Sequence, residues 1–264
     1  MNPVKRLASS ARAALAWNGR PFRRIGAPSP GPTDAFEVQR RLMAKLARTE
    51  PTIFDVGANK GQTTKRYRAL FPDSEIYSFE PFPQCVAELQ ALFSGDHRVH
   101  IVPKAVAREK GVATFYVNHF DATNSLLPRP ADARRYYPRS AGHKESIEVD
   151  VTSVDAFVEA ADVPAVDILK FDIQGGELEA LRGADRVLRS GATALIYTEM
   201  MFIPHYEGAP LFHEIWSFLR EYGYSLFDIY DLHRARNGQL RYGDALFVSE
   251  SVRRSVIDQS PEEP

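Results

Sequence analysis

The chemistry-bearing residues of this chain stand where apolar runs end. Asp55-Val56-Gly57-Ala58-Asn59-Lys60-Gly61 closes the run Thr52-Ile53-Phe54 and leads into a helical pattern. Gly57 lets the backbone turn sharply and approach a ligand with no side chain in the way. Asn59 is one of the few non-glycine types that tolerate a left-handed backbone. The helix that follows offers unpaired N–H groups and a positive dipole end to a carboxylate or phosphate. Asp55, at the end of the run, is placed to accept from an ammonium group. Glu80 closes the next apolar run, 23 positions after Gly57. At that spacing a carboxylate can accept hydrogen bonds from ribose hydroxyls. Pro81 and Phe82 follow at once and can wall an adenine ring. The order of strand, turn, helix, second strand and terminal Glu points to an adenosine-containing ligand.

A third polar turn, Asp172-Ile173-Gln174-Gly175-Gly176-Glu177, follows the run Leu169-Lys170-Phe171. A fourth apolar run ends in Thr198-Glu199, with His205 shortly after it. Carboxylates that end parallel strands converge on one crevice, because ligands of open α/β sheets bind outside the carboxyl ends of the strands. A nicotinamide dinucleotide is the competing ligand for such a sheet. Against it, Asn59 stands where the second glycine of G-x-G-x-x-G would let a pyrophosphate approach. No tyrosine has a lysine four residues later either, which removes the short-chain dehydrogenase dyad but not other dehydrogenases.

Positioning these residues requires alternating strands and helices, the pattern of a parallel sheet. A helix is expected over 34–48, with Ala35, Val38, Leu42 and Leu46 on one face. Strands follow at 52–56, 75–79 and 99–102, with helices at 62–70 and 83–93. The turn after the third strand, around Ala105, opens onto the same edge. Strands at 113–117 and 146–151 flank a polar, Pro- and Arg-rich insert, 121–144, which reads either as a substrate-side flap or as plain disorder. Helices at 154–161, 177–188 and 211–222 then alternate with strands at 166–171 and 194–198. Strands at 225–229 and 245–248 end the pattern in a hairpin.

These motifs resemble the FkbM-type methyltransferases, many of which methylate hydroxyl oxygens. The resemblance runs from about Asp34 to Val248. Its most specific parts are Asp55-Val56-Gly57-Ala58-Asn59, Phe79-Glu80-Pro81, and the stretch from Lys170 to Ala180-Leu181-Arg182-Gly183. Asn124-Ser125-Leu126 resembles a further family motif. The family often has Glu at the Gln174 position and Ala at Gly176, so this chain carries a variant there. The resemblance implies an α/β fold: a Rossmann-like class I methyltransferase sandwich. Its mostly parallel seven-stranded sheet would have helices on both faces and an antiparallel C-terminal strand. It implies S-adenosyl-L-methionine as cofactor, whose methionine half carries both an ammonium and a carboxylate.

On that footing Asp55, Gly57, Asn59, Gly61, Glu80, Pro81 and Ala105 form the expected cofactor-binding set. Asp172, Glu199 and His205 form the expected catalytic set. A hydroxyl acceptor must lose its proton, which calls for a base near the methyl group. Asp172 fits by its strand-end position, although it could instead hold the cofactor's amino group or cap the next helix. Glu199 is a second base or, with Asp172, a ligand for a divalent cation; the expectation is that no metal is bound. His205 is a base, an acceptor clamp or an ordinary surface-loop histidine. Arg134, Arg135, Arg139, Tyr136 and Tyr137 could grip a sugar or phosphate, or belong to an exposed loop. The acceptor expected is a small molecule or carbohydrate. A non-catalytic protein that binds the cofactor is the alternative from a different class.

Composition narrows the partners. Across 264 residues the formal net charge is -1, which gives no global case for nucleic acid or an acidic membrane. Residues 1–33 are a basic arm without an acidic residue, carrying Lys5, Arg6, Arg12, Arg20, Arg23 and Arg24. The arm could touch anionic lipid, a phosphorylated substrate or a neighbouring subunit, or be a flexible, solvated segment. Residues 34–250 form the expected methyltransferase domain, and 251–264 a flexible tail. The single cysteine, Cys85, excludes an intrachain disulfide and fits a reducing compartment. No apolar run has the roughly 20 residues that span a bilayer, so a cytoplasmic protein is expected.

Overall fold

Asp34 starts the first helix, α1 (Ala35–Lys45), by accepting from the N–H groups of Phe36 (2.9 Å) and Glu37 (3.3 Å). The structure is a computed structural model and describes residues 34–131 and 142–259. The basic arm, the Arg134–Arg139 cluster with Tyr136 and Tyr137, and residues 260–264 lie outside the described residues.

Strands β1 (Thr52–Val56), β2 (Glu75–Phe79) and β3 (Val99–Val102) alternate with helices α2 (Gln62–Leu70) and α3 (Pro83–Leu92). Farther along come β7 (Ile168–Phe171) and β8 (Leu195–Met201), then β9 (Ser225–Arg234) and β10 (Leu240–Val248). These seven form one sheet in the order β3-β2-β1-β7-β8-β10-β9. Strands β1, β2, β3, β7 and β8 run parallel, while β10 pairs antiparallel with both β8 and β9. The mostly parallel seven-stranded sheet with its antiparallel last strand is therefore present. The direction of winding reverses between β1 and β7, which makes that point the switch at which such sheets bind ligands.

Alternation along each strand supplies both faces. In β1, Phe54 and Val56 face one core with α4 (Val154–Ala160), α5 (Glu177–Arg182), α6 (Asp185–Arg189) and α7 (Phe212–Glu221). Ile53 faces the other, among Leu42 and Met43 of α1 and Tyr67 of α2. Full burial of such a side chain contributes about 1.5–3 kcal/mol.

Two features differ from the sequence expectation, and a third, the sheet to which the middle strands belong, is one the sequence leaves open. The helix expected over 177–188 is two helices, because Gly183 lies against another segment: a Cβ there would stand 2.4 Å from the carbonyl oxygen of Ala107. Asp155 of α4 caps the second piece through the N–H groups of Arg186 (2.8 Å) and Val187 (3.0 Å). The strands in the middle of the chain do not join the main sheet. β4 (Ala105–Val106), β5 (Gly111–Asn118) and β6 (His143–Thr152) make a separate three-stranded sheet, packed on Phe82 and Cys85. The residues from 251 onward, expected as a flexible tail, are ordered as far as they are described. Residues 250–257 continue as α8 (Glu250–Val252) and a π-helical turn (Arg253–Ile257), held down by buried Val252 and Val256.

Among the described residues no helix is long and apolar enough to cross a membrane.

Candidate active site

At the switch point the carboxyl ends of β1, β2, β3 and β7 open into a crevice of about 200 Å³. Gly57 makes its floor possible. Its φ is +83°, and a Cβ would stand 1.9 Å from the carbonyl oxygen of Asp172, so any side chain would force the two strand ends apart. Asn59 follows at φ +47° and Gly61 at +84°, where α2 starts with Gln62 and Thr63 lining the crevice.

Glu80 stands opposite, at the end of β2, and is 6% exposed. Each of its oxygens accepts from a backbone N–H: Oε2 from Asn59 and Oε1 from Phe82, both at 2.9 Å. The positive φ of Asn59 therefore turns its N–H onto the carboxylate that the sequence assigns to ribose. Burial pushes the Glu80 pKa up to about 7, against those two donors and the Lys170 charge. Pro81, Ala105 and Phe115 add lining from β2 and the second sheet. Asp121, Ala122, Asn124 and Leu126 add lining from the segment between β5 and β6. Lys60 crosses the mouth to Asp121 at 2.9 Å.

Asp55 is not where the sequence placed it. It is fully buried beneath the crevice, outside the lining, with Oδ2 accepting from Thr64 at 2.7 Å and Oδ1 facing Lys170 Nζ at 2.9 Å. It can receive no ammonium from a ligand. Lys170 also donates to the carbonyl of Gly57 at 3.0 Å. Burial works against the Lys170 ammonium, but the Asp55 and Asp172 charges outweigh it and raise its pKa above the usual lysine value. The pair thus ties β7 to the turn after β1 from inside.

Asp172 is exposed and lines the crevice. Its Oδ1 accepts from Gln174 Nε2 at 3.0 Å, and the same nitrogen donates to Glu199 Oε2 at 2.9 Å. Glu199 does not itself line the crevice; it lies behind Gln174. Directly across from it on β10 stands Asp244. Burial, with the charges of Asp172, Glu177 and Asp244, raises the Glu199 pKa well above the carboxylate range. Burial and the Asp172 charge likewise raise Asp244 to about 7. Glu177 turns its carboxylate back onto the N–H groups of Ile173 and Gly175, both at 3.1 Å, and burial lifts it to about 7.

His205 is neither a surface-loop histidine nor a crevice residue. It is 3% exposed, its Nε2 accepts from Arg241 Nε at 3.3 Å, and its ring meets Tyr242 edge-on. Burial and the charges of Arg241 and Arg129 lower its pKa to about 4, so it is neutral at physiological pH with that lone pair engaged. Among the described residues no group of three or more His, Cys, Asp or Glu side chains is arranged to hold a metal ion.

Four residues of this site carried no role in the sequence reading: Lys170, Gln174, Glu177 and Asp244. Lys170 left a signal, a charge inside an otherwise apolar strand, and Gln174 stood out only as a departure from the family pattern. The variant position Gly176 is tight: a Cβ there would stand 3.1 Å from the end of the Ile173 side chain, which would have to shift slightly to admit it.

The profile of the methyltransferase FkbM domain matches residues 55–226, which span the crevice and the strands that build it. The chain belongs to the FkbM methyltransferase family. Among curated relatives, 2-O-methyltransferase NoeI of Sinorhizobium fredii (strain NBRC 101917 / NGR234) is 25% identical over 185 residues. That match covers 67% of this FkbM chain and 74% of the relative. Methyltransferase 1 of Beauveria bassiana (strain ARSEF 2860) is 27% identical over 150 residues, 50% of this chain and 58% of that one. The solved methyltransferase FkbM of Methylobacillus flagellatus KT superposes with a TM-score of 0.49 at 15% identity. That match covers 76% of this chain and 44% of the solved one, so the chain spans under half the length of that FkbM structure.

Proposed function

We propose that the protein transfers a methyl group from S-adenosylmethionine to a hydroxyl of a sugar, a glycan or another small molecule. The carrying observation is the single crevice that gathers a side-chain-free turn, a buried carboxylate and an exposed carboxylate on a family-matched framework. The donor set suits the cofactor: Glu80 for the ribose hydroxyls, and the start of α2 with the Gly57–Gly61 turn for the methionine carboxylate. Pro81 and Ala105 offer apolar contact to the base. A cytoplasmic setting accompanies this reading.

S-adenosylmethionine supplies an electrophilic methyl group on a sulfonium. Asp172 takes the proton of the acceptor hydroxyl as the new carbon–oxygen bond forms and the carbon–sulfur bond breaks. Its Oδ1 is held by Gln174, which leaves Oδ2 for that proton. Holding the acceptor in line supplies much of the rate. Hydroxyl oxygen is favoured over other acceptors because the NoeI relative carries a 2-O-methyltransferase name and because a carboxylate base is at hand. His205 has no part in this scheme, and Glu199 acts behind Asp172.

Calorimetric titration with S-adenosylhomocysteine, beside NAD, tests the cofactor. Saturable binding of the first, followed by transfer of labelled methyl to hydroxylated acceptors that Asp172→Asn abolishes, is the expected result. Folded protein that binds no S-adenosylhomocysteine, or binds NAD more tightly, would overturn the proposal.

A further inference from the structure

Gln174 stands where the ends of β7 and β8 meet the segment 123–127. Its φ is +58°, a backbone conformation that glycine adopts without strain and glutamine does not. Strain of this kind persists only where the surroundings hold it, and it gathers at functional sites. The surroundings here are specific. An amide nitrogen has two hydrogens, and both are used, one on Asp172 Oδ1 and one on Glu199 Oε2. The amide oxygen lies 2.8 Å from the hydroxyl of buried Tyr206, which also reaches the Thr123 carbonyl at 2.9 Å. The Gln174 carbonyl accepts from Ser125 Oγ at 2.8 Å. With acceptors on its nitrogen side and a hydroxyl on its oxygen side, the amide has one workable orientation.

We propose that Gln174 is the positioning residue of this site: its amide aims Asp172 at the crevice and supplies the two shared hydrogens that let Asp172 and Glu199 lie together. The inference rests on reading Asp172 as the proton acceptor. The amide nitrogen occupies the space between the two carboxylates that a bridging cation would need. Tyr206 ties the amide, and Ser125 the main-chain carbonyl of Gln174, to the segment that lines the crevice, so a displaced segment would loosen Asp172 as well. The charged and titratable groups around the pair are Lys170 on β7, Glu177 on α5, Asp244 and Tyr242 on β10, and Tyr206. Among these described groups only Lys170 is cationic, and it is already paired with Asp55.

Gln174→Glu tests this at nearly constant volume, because it removes both donors and adds a third carboxylate. The added acid is expected to have a folded pKa above its unfolded value, so its stability contribution is present at low pH and lost as pH rises. The variant should therefore melt below wild type at about pH 8 and approach it at about pH 6. At about pH 8, Mn²⁺ should restore it by bridging the carboxylates while leaving the wild-type melting temperature unchanged. A variant as stable as wild type at high pH, or equal Mn²⁺ stabilisation of both proteins, would overturn the proposal. Should Gln174→Glu not fold, Gln174→Met keeps the bulk without donor or charge. Its melting temperature should fall more steeply with pH than that of wild type, and parallel curves would be the overturning result. Both readouts need no ligand. A parallel titration with S-adenosylhomocysteine therefore separates failure of the cofactor assignment from failure of the role given to Gln174.

Discussion

The two sides of the crevice meet their carboxylates in different ways. On the β1–β2 side, Glu80 is satisfied by main-chain N–H groups of the two turns that form the wall. On the β7–β8–β10 side, Asp172 and Glu199 share one side-chain amide, and Asp244 is hydrogen-bonded to Tyr197. A main-chain cradle is set by local backbone geometry, so it suits the constant half of the proposed reaction, the cofactor. A side-chain network can be redrawn by single substitutions, so it suits the half that must match an acceptor. The contrast also predicts where the molecule is fragile.

The largest effect should come from the one side chain that belongs to both halves. Lys170 projects from β7, pairs with Asp55 under the Gly57–Gly61 turn and donates to Gly57. Lys170→Met leaves Asp55 buried at 0% exposure with a negative charge and no cation. Breaking a buried pair by removing one partner costs about 3–5 kcal/mol. Urea denaturation should show that loss, and a change below about 1 kcal/mol would mean that the two halves are held together by other contacts.

Glu80 sharpens the contrast at the level of binding. Its pKa near 7 means that a fraction of the free protein carries a neutral Glu80 at physiological pH. Ribose hydroxyls donate to a carboxylate, so ligand binding favours the ionised form. Below about pH 7 a proton must leave on binding. S-adenosylhomocysteine affinity should then fall by up to about tenfold per pH unit below that point and level off above it. The stability linkage has the opposite sense. Because the folded pKa is raised, the contribution of Glu80 to folding is present at low pH and lost as pH climbs through about 7. Glu80→Gln puts an NH₂ group against one of the two main-chain donors. It should flatten the binding profile and weaken affinity by about tenfold to a hundredfold at high pH. A pH profile that Glu80→Gln leaves unchanged would assign the titration to another acid.

The same contrast explains what could be read from the sequence. Gly57, Asn59 and Glu80 act through local backbone geometry, so their types and spacing announce them. Asp172 is found in the same way, as the polar residue that ends an apolar run. Asp55 fits that rule equally well yet lies under the crevice, because strand alternation puts it on the face with Ile53 while a lysine from β7 takes its charge. Gln174 looks like a family variant and nothing more until Glu199, 25 positions away, is seen sharing its amide. His205 and the residues after 250 fail for a related reason. Their burial depends on Arg241 and on the α1 face, contacts that no local pattern encodes. The split at Gly183 needed the 107–108 backbone, equally remote in sequence.

The smallest effect is expected at the other lysine of the site. Lys60 and Asp121 stand 2.9 Å apart, the same separation as Lys170 and Asp55, but their side chains are 41% and 28% exposed. Water competes for both ions, and Glu88 at 3.5 Å offers Lys60 a second partner. Exposed pairs of this kind contribute little and weaken further with salt. Their position still matters, because this pair joins the Gly57–Gly61 turn to the segment that lines the crevice. Lys60→Ala should therefore leave the melting temperature near that of wild type. It should weaken S-adenosylhomocysteine binding by no more than about threefold at low salt, and by nothing measurable at about 0.5 M NaCl. A loss of tenfold or more that persists in high salt would mean that closure of the mouth depends on Lys60. The cofactor half would then rely on side chains as heavily as the acceptor half does.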